Sequence, residues 1–141
     1  MYIYMMGICG TGMGSLAGLL QRTGHRVRGS DVAFYPPMGD RLRAWGIELC
    51  QGWDAAHLHP TPDMVVVGNV IRHDNPEAVA MRERDLPYMS MAQAIRKFAI
   101  EAKHSIVVAG THGKTTTTAL LAHVLEELQL QPSYLVGGVL V

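Results

Sequence analysis

Cysteine is scarce in this sequence of 141 residues, which contains only Cys9 and Cys50. The two residues follow different predicted strands, and neither belongs to a Cys-x-x-Cys motif of the kind that binds zinc or cycles between thiol and disulfide. The sequence therefore predicts neither a zinc site nor a redox motif at the cysteines. It is consistent with a reducing compartment.

An excess of charge of one sign is also missing, because twelve lysines and arginines balance twelve acidic residues. No electrostatic field of a single sign would therefore attract nucleic acid or an anionic membrane, and any anion has to be held by local contacts. No apolar run approaches the roughly 18 residues of a membrane-spanning helix, and no basic segment precedes the first strand-like residues. We expect a cytoplasmic protein without a nucleic-acid or membrane partner.

A glycine-rich turn near the C-terminal end carries the strongest functional signal. The turn follows a strand-like segment at residues 106–109, reads Gly110-Thr111-His112-Gly113, and precedes a segment with helical spacing. This order is typical of a P-loop, in which backbone N–H groups and a helix N-terminus hold phosphate. In such a loop Lys114 reaches the β- and γ-phosphates, and the Thr115 hydroxyl binds Mg²⁺.

The turn departs from the general P-loop spacing. The first glycine of that pattern would fall at Val108, whereas Gly110 lies three positions before Gly113. The alternative is that the two glycines only form a tight turn and that Lys114 is an exposed lysine. We favour the phosphate site, because a cation in the first turn of a helix opposes the helix dipole unless an anion is nearby.

A second glycine-rich turn follows the first strand-like segment, at residues 2–6. Gly10 and Gly12 match the first two glycines of the dinucleotide-binding pattern, but its third position is Ser15. With Gly7 included, the turn fits a Gly-x-x-Gly-x-Gly loop, and apolar residues at helical spacing follow from Ser15. The order predicts a strand, a turn and a helix that together hold a diphosphate.

An acidic residue, Asp31, ends the second predicted strand 19 positions after Gly12. In dinucleotide-binding folds, an acidic residue roughly 20 positions on bonds to a ribose hydroxyl. The alternative is that Asp31 only caps the segment that follows it. With Asp31 in this position, the glycine-rich turn becomes a better indication of nucleotide binding.

Strand-like and helical segments alternate as far as residue 100. Further strands are predicted near residues 47–50, 63–68 and 87–89, and further helices near residues 40–45, 77–84 and 91–100. A His-x-His pair at residues 57–59 lies in a Pro-rich stretch, which we interpret as a polar loop because no third metal ligand is nearby. The alternation predicts an α/β fold with a Rossmann-like, doubly wound parallel sheet.

Two units are predicted along the chain. Residues 1–100 form the Rossmann-like domain, and residues 101–141 are the opening strand, loop and helix of a P-loop ATPase domain, with a further strand at residues 132–138. A complete P-loop domain needs more strands and a carboxylate for its Mg²⁺, so the second unit amounts to about a quarter of a domain.

The two turns together resemble those of the Mur ligases of bacterial cell-wall synthesis. The resemblance lies in the modified Rossmann loop with Ser30-Asp31 and in Gly-Thr-His-Gly-Lys-Thr about 100 residues later. Within the family, four segments are more similar to the branch that adds a tripeptide in peptidoglycan recycling than to the branch that adds L-alanine. They are Gly7-Ile8-Cys9-Gly10-Thr11, Tyr35-Pro36-Pro37-Met38, Val67-Gly68-Asn69 and Pro87-Tyr88-Met89-Ser90.

The resemblance implies an ATP- and Mg²⁺-dependent ligase that joins UDP-N-acetylmuramate to the tripeptide L-Ala-γ-D-Glu-meso-diaminopimelate, with L-alanine as the alternative. In this family the lactyl carboxylate attacks the γ-phosphate to give an acyl phosphate, and the incoming amine then displaces phosphate. Further metal ligands, a modified lysine and the amine-binding domain are expected beyond residue 141. We therefore expect the 141 residues alone to be inactive.

The resemblance also implies roles for individual residues. Lys114 and Thr115 are the predicted catalytic residues, because they neutralise the transferred phosphoryl group and hold the metal. The predicted ATP contacts are Gly110, Thr111, His112, Gly113, Lys114, Thr115 and Thr116, and His112 either lines the γ-phosphate or packs on the loop. The predicted contacts of the UDP-sugar are Gly7, Gly10, Thr11, Gly12, Met13, Ser30, Asp31, Asn69, His73 and Asn75.

Two functions of other classes remain open. A Rossmann-type NAD(P)-binding or regulatory module would use only the N-terminal turn and Asp31, and nicotinamide cofactors would stabilise it while uridine nucleotides would not. A P-loop switch or carrier ATPase would use only the second turn, and it would leave the N-terminal turn without a role.

Overall fold

A five-stranded parallel sheet with strand order β3-β2-β1-β4-β5 is the centre of the fold. A computed structural model describes residues 1–101 and 103–136 of the chain. The strands are β1 (Tyr2–Met6), β2 (Arg26–Asp31), β3 (Glu48–Gln51), β4 (Met64–Val67) and β5 (Tyr88–Ser90). The helices are α1 (Thr11–Arg22), α2 (Met38–Ala44), α3 (Pro76–Glu83), α4 (Met91–Ile95) and α5 (Lys114–Glu127), with a 3₁₀ turn at Ala55–Leu58 and a π-helical turn at Arg96–Ile100.

The central strand β1 explains why the sheet is covered on both faces. Residues 3–6 of this strand are fully buried apolar side chains, and successive residues point to opposite faces. Ile3 and Met5 pack in a core layer with residues of α1 and α2, whereas Tyr4 and Met6 pack in a second layer with residues of α3. The predicted Rossmann-like, doubly wound α/β fold is therefore confirmed.

Helix α1 begins at Thr11, four residues before the predicted start at Ser15. Glycine disfavours helix interiors, yet Gly14 and Gly18 are both helical and buried here. A side chain at Gly14 would overlap Met38, and one at Gly18 would overlap the Trp45 ring. These two glycines therefore allow α1 to pack closely against the α2 region.

Neither of the two strands predicted in the C-terminal part forms within the residues that the structure describes. Residues 106–109 and 132–136 are irregular, while residues 137 and 138 lie outside the described residues. A strand needs a hydrogen-bonded neighbour, and no neighbouring strand lies beside either segment in the described part of the chain. The helix predicted after the second turn does form, as α5, and the division of the chain at residue 101 stays a prediction. Of the helices at residues 1–101 and 103–136, none is long and apolar enough to cross a membrane.

Candidate nucleotide-binding site

A pocket of about 480 Å³ lies where the carboxyl ends of β1, β2, β4 and β5 meet the start of α1. Ligands of open α/β sheets bind at this edge. Seven of the ten residues predicted to contact the UDP-sugar line it: Gly7, Gly10, Thr11, Gly12, Met13, Asp31 and Asn69. The fold thus brings the N-terminal turn, the acidic end of β2 and the loop after β4 into one site.

The turn at the floor of the pocket is fixed by the end of β2. The N–H groups of Gly7 and Ile8 both donate to the Ser30 carbonyl, at 2.9 and 3.0 Å. The N–H of Cys9 donates to Asp31 Oδ2 at 2.8 Å, and Asp31 Oδ1 accepts from the N–H of Val32. The Asp31 carboxylate therefore shapes the turn while it lines the pocket.

The first turn of α1 presents backbone N–H groups to this pocket. The first carbonyl bond of the helix runs from the Gly14 N–H to Gly10, so the preceding N–H groups of Thr11, Gly12 and Met13 have no partner within the helix. No acidic side chain lies in this first turn. Free N–H groups and the positive end of the helix dipole make the position suited to phosphate.

Exposed apolar side chains surround the opening of the same pocket. Val32, Tyr35 and Val70 line it with exposed fractions of 62%, 70% and 76%. Solvent-exposed apolar groups that cluster at a concave site indicate a ligand surface. Val70 belongs to the loop at residues 69–75, which was expected to border the sugar, whereas Val32 and Tyr35 were not predicted as contacts, although each lies within a few positions of Asp31. An amide-lined floor with an apolar rim suits a ligand that has both a phosphate and a flat base.

Three predicted contacts do not line the pocket. The Ser30 side chain is fully buried and donates to Glu77 Oε2, because neighbouring strand residues face opposite sides and Asp31 faces the pocket. Asn75 caps α3, and its Oδ1 accepts from the N–H groups of Glu77 and Ala78. His73 is exposed, and its carbonyl accepts from Arg82. The fold does not bring these three side chains into the lining of the pocket, and their contact with the UDP-sugar stays a prediction.

Glu77 is a buried carboxylate that the sequence analysis did not single out. Its side chain is fully buried, and its Oε1 accepts from the Tyr4 hydroxyl at 3.0 Å and from His57 Nδ1 at 2.8 Å. Burial raises the pKa of the Tyr4 phenol, so that this hydroxyl stays protonated and donates. His57 lies in the 3₁₀ turn and belongs to a buried polar cluster around Glu77, where the sequence predicts a polar loop. From the sequence alone, Asn75-Pro76-Glu77 reads simply as a helix start.

The second predicted turn is an exposed loop at the start of α5. Gly113 caps this helix with a φ of +75°, a conformation that glycine adopts without strain. Lys114 Nζ folds back onto the loop and donates to the carbonyls of Gly110 and Thr111, at 2.7 and 3.2 Å. Thr111, His112, Thr115 and Thr116 are exposed. The predicted ATP contacts therefore lie together on one loop, accessible to a ligand.

Two further observations concern the remaining predictions. A cavity of about 530 Å³ lies between α1, α2 and residues 132–136, and no predicted site residue lines it. In the part of the chain that the structure covers, no three His, Cys, Asp or Glu side chains gather as a metal site. The pocket at the sheet edge is therefore the candidate site, and a metal at the second turn would depend on Thr115.

The family model described as "Mur ligase family, catalytic domain" matches residues 2–103. The chain therefore belongs to the Mur ligase family, and the predicted resemblance is confirmed. It is 46% identical to the UDP-N-acetylmuramate--L-alanyl-gamma-D-glutamyl-meso-2,6-diaminoheptandioate ligase of Escherichia coli (strain K12), over 99% of this chain and 30% of that protein. The chain spans about 30% of the length of the curated relatives that it matches.

Two solved structures are similar to the fold described above. The UDP-N-acetylmuramate:L-alanyl-gamma-D-glutamyl-meso-diaminopimelate ligase from Neisseria meningitides has a TM-score of 0.92 at 42% identity, and the match covers 98% of this chain and 43% of that one. The UDP-N-acetylmuramate-alanine ligase from Thermotoga maritima has a TM-score of 0.89 at 35% identity, over 99% and 32% of the respective chains. Both branches of the family considered from the sequence therefore share this fold.

Proposed function

We propose that these 141 residues are the part of an ATP-dependent ligase that binds UDP-N-acetylmuramate, and that the complete enzyme joins this nucleotide sugar to L-Ala-γ-D-Glu-meso-diaminopimelate. The observation that carries the proposal is the pocket at the sheet edge, which combines free helix N–H groups with an apolar rim in a Mur ligase chain. The identity of 46% to a tripeptide-adding ligase favours the tripeptide over L-alanine. The proposal includes a cytoplasmic location.

The pocket supports specific roles for its residues. The diphosphate lies against the first turn of α1, where the N–H groups of Gly12 and Met13 donate to its oxygens. The uracil packs among Val32, Tyr35 and Val70, which are the exposed apolar side chains of the rim. Asp31 accepts a bond from the nucleoside, since carboxylate oxygens have lone pairs left beyond the two backbone N–H groups they already bind.

The second turn has the groups that a nucleoside triphosphate needs. Among the described residues, the Lys114 ammonium contacts only neutral carbonyls of its own loop, so it can turn toward the β- and γ-phosphates without breaking an ion pair there. The exposed Thr115 hydroxyl and the phosphates would hold Mg²⁺, which neutralises charge on the phosphate oxygens when bound. Thr116 and the loop N–H groups orient those oxygens. The 141 residues alone are expected to bind nucleotides without ligating, because they span about 30% of their relatives.

Ligand-induced stabilisation distinguishes the proposal from a nicotinamide-binding module. A ligand that binds only the folded chain raises its melting temperature by an amount that grows with concentration over Kd. We expect UDP-N-acetylmuramate, measured by thermal shift on this chain, to raise the melting temperature, and NADH and NADPH at equal concentration to leave it unchanged. The opposite ranking would contradict the proposal and support the dinucleotide-binding alternative.

The two thiols provide an independent test of where the ligand binds. Cys9 lines the pocket, whereas Cys50 is buried and burial raises the pKa of its thiol, which lowers its thiolate fraction at pH 8. We expect iodoacetamide to modify Cys9 first, and saturating UDP-N-acetylmuramate to slow that reaction while Cys50 remains slow throughout. Peptide mass spectrometry measures both rates. An unchanged Cys9 rate at saturation would show that the ligand does not cover this pocket.

A further inference from the structure

The buried carboxylate of Glu77 divides its hydrogen bonds between its two oxygens. Oε1 accepts from the Tyr4 hydroxyl, from His57 Nδ1 and from the Asp54 N–H. Oε2 accepts from the Ser30 hydroxyl at 2.6 Å, and no other donor to it is found among the described residues. Hydrogen bonds between a hydroxyl and a carboxylate at this distance are among the strong ones. Oε1 therefore bonds to Tyr4, His57 and Asp54, and Oε2 bonds to Ser30.

Ser30 connects this carboxylate to the nucleotide pocket. Its hydroxyl points down to Glu77, while its carbonyl accepts from the N–H groups of Gly7 and Ile8 in the turn. Both contacts belong to one fully buried residue, so that its hydroxyl bond limits how far the carbonyl can move. Gly7 itself lines the pocket, and Ile8 comes directly before the lining residues Cys9 and Gly10. The position of the turn is thus connected to α3 through two residues.

Glu77 is itself held by the start of its helix. Asn75 caps α3, and its Oδ1 accepts the Glu77 N–H at 2.9 Å. Burying a carboxylate away from water is unfavourable unless every oxygen is bonded, and an apolar side chain of similar volume would fill the same space without that penalty. A charged residue at this position needs a reason beyond packing, and the bonded turn supplies one.

We propose that Glu77 is a positioning residue for nucleotide binding, which acts through Ser30 to hold the turn at Gly7 and Ile8 in its binding conformation. This inference rests on the proposed binding of UDP-N-acetylmuramate in the pocket. Glu77 has no contact with the ligand. Its effect is to keep the turn and the first N–H groups of α1 in place before the ligand arrives, which lowers the ordering cost of binding.

The two hydroxyl groups that donate to the Glu77 carboxylate, one to each oxygen, can be removed separately in a matched pair of variants. Ser30→Ala and Tyr4→Phe each remove one hydroxyl that donates to Glu77. The Tyr4 hydroxyl also contacts the Ser30 side chain, but only Ser30 bonds to the turn, through its carbonyl. Isothermal titration of the 141-residue chain with UDP-N-acetylmuramate should show Ser30→Ala binding about tenfold more weakly, the effect of losing about one hydrogen bond. Tyr4→Phe should bind within about twofold of the parent chain while it melts at a lower temperature.

Glu77→Gln tests the carboxylate directly and keeps its shape. We expect its affinity to fall as in Ser30→Ala. The double variant Ser30→Ala/Glu77→Gln should bind about as tightly as the weaker-binding of the two single variants, because both changes break the same connection. Amide hydrogen exchange supplies a readout that global stability does not determine. The Gly7 and Ile8 N–H groups should exchange faster in Ser30→Ala than in Tyr4→Phe, when each variant is measured the same number of degrees below its own melting temperature.

The outcomes distinguish a failure of the positioning role of Glu77 from a failure of the proposed binding of UDP-N-acetylmuramate. If the parent chain binds the nucleotide sugar and the two hydroxyl variants lose affinity equally, or neither does, the positioning role is overturned and the proposed function stands. If the parent chain does not bind, the proposed function fails, and hydrogen exchange still decides the role of Glu77. Equal exchange of Gly7 and Ile8 in both variants would then overturn the connection through Ser30.

Discussion

Replacing Gly12 with valine is expected to weaken binding of UDP-N-acetylmuramate at least about a hundredfold while the chain stays folded. Gly12 lies in the first turn of α1 and lines the pocket, and a Cβ atom there would meet only the flexible end of Met91, at 3.4 Å. The two methyl groups of valine would therefore take the space through which phosphate reaches the backbone N–H groups. Isothermal titration calorimetry measures the loss.

Two controls separate this effect from damage to the helix. Gly12→Ala adds one carbon at the same position and should lose less affinity than Gly12→Val. Gly24→Ala lies beyond the far end of α1, at a residue with a φ of +87° where a side chain is strained, so it should lower the melting temperature without changing the affinity. Affinity retained in Gly12→Val would contradict the placement of the diphosphate at this turn.

The sequence was sufficient to predict the sheet and the region of the site because both depend on local patterns. The continuous apolar runs of β1 and β4 indicate strands that are covered on both faces, and they are. Residues that follow strands, such as Gly7 and Asn69, meet at one edge once the strands are parallel. Predicting that edge required only the order of strands and helices along the chain.

The details that were missed depend on contacts between distant residues. Helix α1 includes Gly14, which packs against Met38, a residue distant in sequence. The orientations of Ser30 and Asp31 depend on the register of β2, since a shift of one residue exchanges the faces of a strand. The buried cluster around Glu77 joins residues up to 73 positions apart, and no local pattern predicts such a set.

The predicted strand at residues 106–109 has a related explanation. Ile106 and Val107 are apolar and suited to a strand, but their exposed fractions are 56% and 79%. The preference of a segment for strand structure is realised only when another strand pairs with it. The loop and helix that follow form nevertheless, because the turn at Gly113 and the bonds of α5 are local.

Replacing Lys114 with methionine is expected to reduce ligation at least about a thousandfold in a complete ligase that contains these residues. Methionine keeps most of the length of the side chain but removes the charge that we propose stabilises the transferred phosphoryl group. Within residues 1–101 and 103–136 this ammonium contacts only the carbonyls of Gly110 and Thr111, so its removal breaks no ion pair there and leaves the loop exposed as before. Release of phosphate that depends on the added amine measures the rate.

The matched control is Lys103→Met, which removes a lysine that is exposed and lies outside the loop. This variant should ligate at the parental rate, and Lys114→Arg should recover only part of the activity, because a planar guanidinium does not replace a compact ammonium at a phosphate. The affinity of Lys114→Met for UDP-N-acetylmuramate should equal that of the parent, since the proposed site of the nucleotide sugar is the pocket at the sheet edge. Comparable ligation by Lys114→Met and Lys103→Met would mean that the second turn does not bind the triphosphate.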